Sequence, residues 1–391
     1  MLSGGRPQIL AVKEENMKEQ ITSLEECELP YAYWLYNIAG VGSKTIVRLL
    51  AQVKTPQILY HLPEKELELI LKQNRMTPNL AKRITDAKQH WDVQGAYRRL
   101  LERKIKFTCL GHSDYPDRLL QIPDAPYGIY YRGKLPDKNK PTAAIIGARS
   151  CSEYGKHMAQ RFGREFAMAG MQIISGMARG IDGIGQNAAL AAGGYSLGVM
   201  GCGVDICYPS ENRDLYDVLC EQGGVCSEYP PGTAPRNSLF PPRNRIISGL
   251  SDFVLVIEAK HRSGTLITVD MALEQGREVY ALPGRVTDAL SEGTNRLLQQ
   301  GAAVALSPQD MIGSLTGQIS VQKGSASLLS DRQIDILDNL EDTPQSVEMI
   351  KQRMLSNCSR DVPLPELMNE LVKLSLNGQA RQIGNSYFMR E

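Results

Sequence analysis

Residues 240–258 read FPPRNRIISGLSDFVLVIE. Two arginines flank an asparagine, Arg243-Asn244-Arg245, ahead of an apolar helical turn. Phe253-Val254-Leu255-Val256-Ile257 follows as an unbroken apolar run of strand length. A strand that is apolar on both faces belongs inside a parallel sheet with helices covering both sides. Ser263-Gly264-Thr265 then has the composition to open a helix. In such sheets ligands collect at the carboxyl ends of strands, beside helix N-termini. A cationic segment thus leads into a strand whose far end can hold an anion, and the chain is expected to handle a polyanion.

The pattern around this stretch is periodic. From Thr142 strands and helices alternate, with strands expected over 143–147, 171–175, 195–201, 224–228, 253–259, 278–282 and 302–306. Helices are expected between them, over about 152–169, 180–192, 211–222, 242–250, 265–276, 291–300 and 308–315. The fold class is therefore α/β, an extended Rossmann-like, doubly wound parallel sheet spanning 142–315.

Smaller units flank it. Residues 31–135 read as a helical unit plus a connector. In it Ile38-Ala39-Gly40-Val41-Gly42-Ser43-Lys44 makes a tight two-glycine turn between short helices. That turn fits either a helix-hairpin-helix, which offers backbone N–H groups to a DNA phosphate, or a SAM-like bundle in which the glycines only turn the chain. Residues 1–30 read as a disordered leader, with Met17 as a second candidate start. Pro136-Asp137-Lys138-Asn139-Lys140-Pro141 is a polar linker, and 316–330 is a flexible one rich in Gly, Ser and Gln. Over 331–391 three helices and two short strands describe a winged helix. Its recognition helix carries Glu366 and Glu370 against Lys373, which favours a protein contact over major-groove reading.

Bulk properties narrow the class. The 391 residues exceed one ordinary core, and the hydrophobic fraction of 42% is globular. No apolar run spans a membrane and no apolar export signal opens the chain, so a cytoplasmic protein is expected. The eight cysteines are scattered without a CxxC, which reads as reduced core cysteines rather than zinc ligands. Net charge is only +1, so a nucleic-acid binder must cluster its cations. Arg236, Arg243, Arg245, Lys260, His261 and Arg262 form such a cluster.

Each strand end offers small residues or cations. After the first come Gly147, Arg149 and Ser150. Arg149 holds the place of the second glycine of a dinucleotide fingerprint, which disfavours NAD and leaves either a guanidinium fork for phosphate or a surface arginine. After the second come Arg179 and Asp182, the latter either a catalytic acid or, as its place in the first helical turn favours, a capping or turn-fixing carboxylate. Gly203 and Asn212 follow the third strand. Lys260, Ser263, Gly264 and Thr265 follow the run over 253–257. There is no Walker A sequence, no nucleophile elbow and no His beside a Ser or Cys nucleophile. No catalytic residue, metal or cofactor is expected, and the composition is that of a binding groove.

Together these motifs resemble the DNA-processing protein A family (DprA, also called Smf). The similarity is carried by Asp114-Tyr115-Pro116, Ile146-Gly147-Ala148-Arg149, Ser175-Gly176-Met177-Ala178 with Gly180-Ile181-Asp182, and Tyr208-Pro209 with Glu211-Asn212. It continues through Arg243-Asn244-Arg245-Ile246-Ile247-Ser248-Gly249, Ser263-Gly264-Thr265-Leu266, Ala281-Leu282-Pro283-Gly284 and Gly293-Thr294-Asn295. The resemblance implies a cytoplasmic bacterial protein that binds single-stranded DNA as a homodimer. It would protect incoming DNA in natural transformation and help load the RecA recombinase past single-strand-binding protein. It also implies that Arg149 meets phosphates while Phe240, Arg243 and Arg245 line the groove beside it, with a base stacked on Phe240. One departure is Gly185-Gln186, where the family commonly has Ala-His, which weakens any acid–base role there. The alternative is a Rossmann-type enzyme that cleaves nucleoside monophosphates. Such enzymes carry a glutamate three residues after the threonine of the Gly-Thr turn, a position filled here by Thr268. A helicase- or nuclease-like enzyme lacks the nucleotide loop and metal carboxylates it would need.

Overall fold

The computed structural model describes residues 24–76, 79–316, 331–341, 343–358, 362–376, 379–383 and 387–390. The chain forms two compact units that divide after Gln318.

The first unit is built on a nine-stranded sheet in the order β1-β2-β6-β5-β4-β3-β7-β8-β9. Its parallel part holds β3 (Thr142–Ile146), β4 (Gln172–Ser175), β5 (Ser196–Val199), β6 (Gly224–Ser227), β7 (Phe253–Val256), β8 (Glu278–Ala281) and β9 (Ala303–Val304). β7 lies between β3 and β8, with Ala143 opposite Phe253 and Phe253 opposite Glu278. The two faces are both covered. Val254 and Val256 join one hydrophobic core together with Ala144 and Ile146, while Phe253, Leu255 and Ile257 join the other with Ala143 and Ile145. This alternation is why the run carries no polar residue. The buried run outlasts the ladder: Ile257 and Ala259 are buried beyond the last paired residue and begin the loop that borders the site.

Two strands lie where a helical unit and connector are expected. β1 (Lys106–Cys109) and β2 (Gly128–Gly133) pair antiparallel with each other, and β2 pairs antiparallel with β6. The sheet is thus mostly parallel rather than wholly so. Among the described residues six α-helices precede β1, from Leu29–Tyr36 to Val93–Glu102. They share a core with the sheet: the Tyr36 hydroxyl donates to the Glu228 carbonyl (2.9 Å) and the Asn37 amide to the Tyr130 hydroxyl (2.7 Å). The Gly40 turn is present with φ +75°, and its carbonyl accepts from Arg83 (3.3 Å). The described residues begin within the expected leader. Leu24 N–H donates to the Gly111 carbonyl (2.9 Å), whereas residues 1–23 lie outside the described residues.

The second unit holds helices Asp331–Asp338, Val347–Cys358 and Leu364–Leu376. Its three short strands are β10 (Gln345–Ser346), β11 (Ala380–Ile383) and β12 (Tyr387–Arg390), in the order β10-β12-β11. Leu367, Leu371, Leu374 and Phe388 fill its core. The expected linker falls almost wholly on residues 317–330, outside the described residues.

Candidate nucleic-acid interface

The order of the parallel strands places a switch point between β3 and β7. The chain winds away from β3 on one side through β4, β5 and β6, then returns to β7 on the other side. A crevice opens outside the carboxyl ends at such a point. Here it is a cleft of about 520 Å³. Its lining includes Gly147, Arg149, Ser150, Phe240, Arg243, Asn244, Lys260, Ser263, Gly264 and Thr265.

The loop after β3 is held from below. Buried Glu258, two residues past β7, accepts from the Ser152 backbone N–H (3.0 Å) and from the Ser152 hydroxyl. The same hydroxyl caps helix Glu153–Met168 by accepting from Gly155 N–H (3.0 Å). Glu258 is therefore spent on fixing the segment that carries Arg149. The turn after β4 docks on this loop. Ile181 N–H donates to the Ala148 carbonyl (3.2 Å), and Gly180 has φ +75°, where an added Cβ would stand 2.3 Å from that oxygen. Thr265 Oγ1 donates to the Gly147 carbonyl (3.3 Å) and ties in helix Gly264–Glu274.

Phe240 is the centre of the wall. The guanidinium carbons of Arg149 and Arg243 lie 5.9 and 6.0 Å from its ring centroid. The Tyr208 ring stacks on it at 5.4 Å and 23°. A Cβ at Gly201 would meet the Phe240 ring at 2.5 Å, so the absence of a side chain there makes the seat for the ring. Tyr208 is 41% exposed, whereas Phe240 is half-buried. Tyr208 is thus the more exposed ring of the stack and backs Phe240 from outside the cleft lining, a relationship the sequence does not show. Its motif, Tyr208-Pro209, was visible, but nothing in the motif says which ring it stacks against.

Arg243 forms the floor rather than the rim. It is 5% exposed, and Nη1 donates to the carbonyls of Gly176 (3.0 Å) and Val199, while Nε donates to Asn244 (3.2 Å). Burial lowers its pKa, opposed mainly by the charge of Asp182. Burial raises the Asp182 carboxyl in turn, opposed by Arg243 and by the Gly176 N–H it accepts from (3.1 Å). Asp182 braces the turn, as its sequence position suggests.

Four expected contacts lie outside the cleft lining. Arg245 is turned away and held by Glu228 (2.7 Å) and Asp124 (2.9 Å). This corrects the expectation that both arginines of the Arg-Asn-Arg triplet line the groove. They lie two apart in helix Phe240–Gly249, and residues so spaced do not share a face. Arg179 pairs with Glu211 (3.4 Å) at the surface. The Asn212 amide donates to the carbonyls of Met177 (3.0 Å) and Ala178 (3.1 Å) and braces the turn after β4. Gly203 is buried under the 230–233 turn, its N–H donating to the Thr233 carbonyl (2.9 Å).

The exposed residues of the cleft lining are Arg149, Ser150, Asn237, Lys260, Gly264 and Ile267. The Ser263 hydroxyl beside them is shielded from water and has no hydrogen-bond partner. Among the described residues, no three His, Cys, Asp or Glu converge as a metal site would need. Nor is any helix there long and apolar enough to cross a membrane.

The family model for DNA recombination-mediator protein A matches residues 106–316. The chain belongs to this family. It is 37% identical to Protein Smf of Escherichia coli over 70% of this chain and 74% of that protein. It is 43% identical to DNA processing protein DprA of Streptococcus pneumoniae over 51% of this chain and 70% of that one. The X-ray structure of the latter protein superposes with a TM-score of 0.64 at 32% identity, covering 75% of this chain and 98% of that chain. The family match begins at β1, so it includes the two antiparallel strands that the sequence reading assigned to the flank.

Proposed function

We propose that this member of the recombination-mediator family binds single-stranded DNA in the cleft at the switch point, independently of sequence and without breaking a bond. The observation that carries the reading is the pairing of exposed Arg149 with the Tyr208–Phe240 ring stack. A cation beside an aromatic stack suits a phosphate and its base together, and every base has a face to stack. A duplex hides those faces, so the unpaired strand is the better ligand. Thr268 lines the cleft where the nucleotide-cleaving alternative needs a carboxylate, which supports binding over hydrolysis.

In the cell the protein acts as a homodimer in the cytoplasm, protects incoming DNA during transformation, and passes it to RecA in the presence of single-strand-binding protein. This part rests on family membership. The helical unit within 31–135 serves as a SAM-like support, since its Tyr36 and Asn37 side chains are bonded to Glu228 and Tyr130 of the sheet unit. The winged-helix unit serves protein contacts. The test is an equilibrium titration with oligo(dT) and with duplex of equal length. Preference for the single strand that weakens as salt rises supports the reading. Equal affinity for both, or release of free base from AMP, removes it.

A further inference from the structure

The cleft has a continuation along the same rim of the sheet. Lys260 lines the cleft, and the next residue, His261, lines a second depression of about 460 Å³. Val286, Glu292, Asn295, Arg296, Gln299 and Gln300 complete it. The loop that holds Val286 follows β8, the neighbour of β7, so the two hollows sit at the carboxyl ends of adjacent parallel strands. The loop is fixed in place: the Asn295 side chain accepts from Gly284 N–H (3.2 Å) and donates to the Gly284 carbonyl (3.0 Å).

The chemistry of the second hollow is specific. Arg296 Nη1 lies 2.5 Å from His261 Nε2. A guanidinium only donates, so this nitrogen accepts and the ring carries its proton on Nδ1. The pair carries the guanidinium charge at the surface, with the exposed Glu292 carboxylate in the same hollow. Carboxamides of Gln299 and Gln300 lie beside it, and Val286 is 89% exposed. Among the described residues, Arg149, Lys260, Arg262 and Arg296 stand within ion-pair distance of no carboxylate, unlike Arg179 and Arg245. Cations without a carboxylate partner along one edge, with amides, an apolar side chain and the single exposed carboxylate of Glu292 among them, suit a strand's phosphates and base edges.

We infer that this hollow is a second subsite for the same single strand, which runs from the cleft over Lys260 to the Arg296–His261 pair. The inference rests on the single-stranded DNA reading of the cleft and extends its footprint. An oligonucleotide that fills only the cleft ignores Arg296, and a longer one engages it.

The experiment is a ladder of oligo(dT) lengths titrated against the full chain, Arg296→Ala, Arg296→Lys and Arg149→Ala, at several salt concentrations. Arg296→Ala is expected to leave the shortest binding oligomers unaffected. It should weaken the longest by roughly fivefold, with the salt slope reduced by about 0.7, the value of one phosphate contact on a single strand. Arg296→Lys keeps the charge and most of the slope. If Arg296→Ala matches the parent at every length while Arg149→Ala is impaired, the subsite is wrong and the cleft stands. If both alanine variants match the parent, the cleft reading falls and takes the subsite with it.

Discussion

Arg243 and Arg245 sit two residues apart on one helix and face opposite tasks. Arg243 points under the cleft and donates to the carbonyls at the ends of β4 and β5, Gly176 and Val199. Arg245 points to the far side and grips Glu228 with both terminal nitrogens, at 2.9 and 2.7 Å. Burial alone would pull the Arg245 guanidinium down, but the hydrogen bonds and charge of Glu228, with Asp124 behind, hold it above its ordinary value. One arginine thus shapes the floor of the cleft and the other fastens the helix to the rest of the unit.

Arg149 and Arg245 should separate cleanly in experiment. Arg149→Ala is expected to weaken oligo(dT) binding roughly tenfold and to lower the salt slope by about 0.7, because one phosphate contact is lost. Its unfolding midpoint should stay close to the parent value, since the side chain is exposed and makes only the contact with the Phe240 ring, outside any ion pair. Arg245→Ala should do the reverse. It strands Glu228, whose side chain is only 13% exposed, and should cost about 3 kcal/mol in urea unfolding. DNA binding by the folded fraction should keep the parent slope. A lowered slope in Arg245→Ala would return that residue to the groove.

The more exposed ring of the stack is Tyr208. Tyr208→Ala should weaken oligo(dT) binding by about 1–3 kcal/mol, and Tyr208→Phe should keep nearly all of it, because stacking needs the ring and not the hydroxyl. Phe240→Ala should cost more than Tyr208→Ala, since it removes the backing for Tyr208 and the partner of Arg149 together. Parent-like binding by Tyr208→Ala in a fluorescence titration would move the base elsewhere.

The sequence made the parallel strands legible for a physical reason. β3 and β7 are buried on both faces, so their residues are apolar without alternation, and such a run has few other readings. The loops that carry Arg149, Lys260 and Ser263 follow from where those strands end. β1 and β2 were hidden because four and six residues, Lys106–Cys109 and Gly128–Gly133, carry little periodic signal. Their pairing is decided by the edge of β6, which is remote in sequence. The Arg-Asn-Arg triplet shows the other limit. Helical spacing alone says the two arginines cannot share a face, yet only packing of the helix says which one meets the cleft. Tyr208 was invisible for the same reason: its stacking partner, Phe240, lies thirty-two residues on.

A chain ending at residue 318 should bind oligo(dT) with the parent affinity and salt slope. The division after Gln318 leaves the sheet, its two cores and every residue of the cleft in one unit. In the other unit, Glu366 is paired with Arg332 (3.0 Å) and Glu370 with Lys373 (2.7 Å), so helix Leu364–Leu376 shows a neutralised surface rather than a basic one. A large loss of affinity on truncation would assign that unit a DNA contact.

The Arg243–Asp182 relationship makes stability depend on pH in a direction that can be worked out. Asp182 is buried and its carboxyl titrates above the unfolded value of 3.8, with the charge of Arg243 limiting the rise. Between those two values the folded chain holds more protons than the unfolded one, so stability falls as pH rises through the window and is level above it. Arg243→Met keeps much of the volume but removes the opposing charge. The folded pKa of Asp182 then rises further, the window widens upward, and the loss accumulated by neutral pH grows. The variant should be less stable than the parent by about 3 kcal/mol near neutrality, with the carbonyls of Gly176 and Val199 also left unpaired. As pH falls through the folded-state titration of Asp182, the carboxyl takes up its proton in both proteins and the gap should narrow. Urea unfolding of the two proteins across that range measures it. A gap that stays constant with pH would mean that Arg243 serves the floor of the cleft only through its hydrogen bonds, and that Asp182 is not the charge it balances.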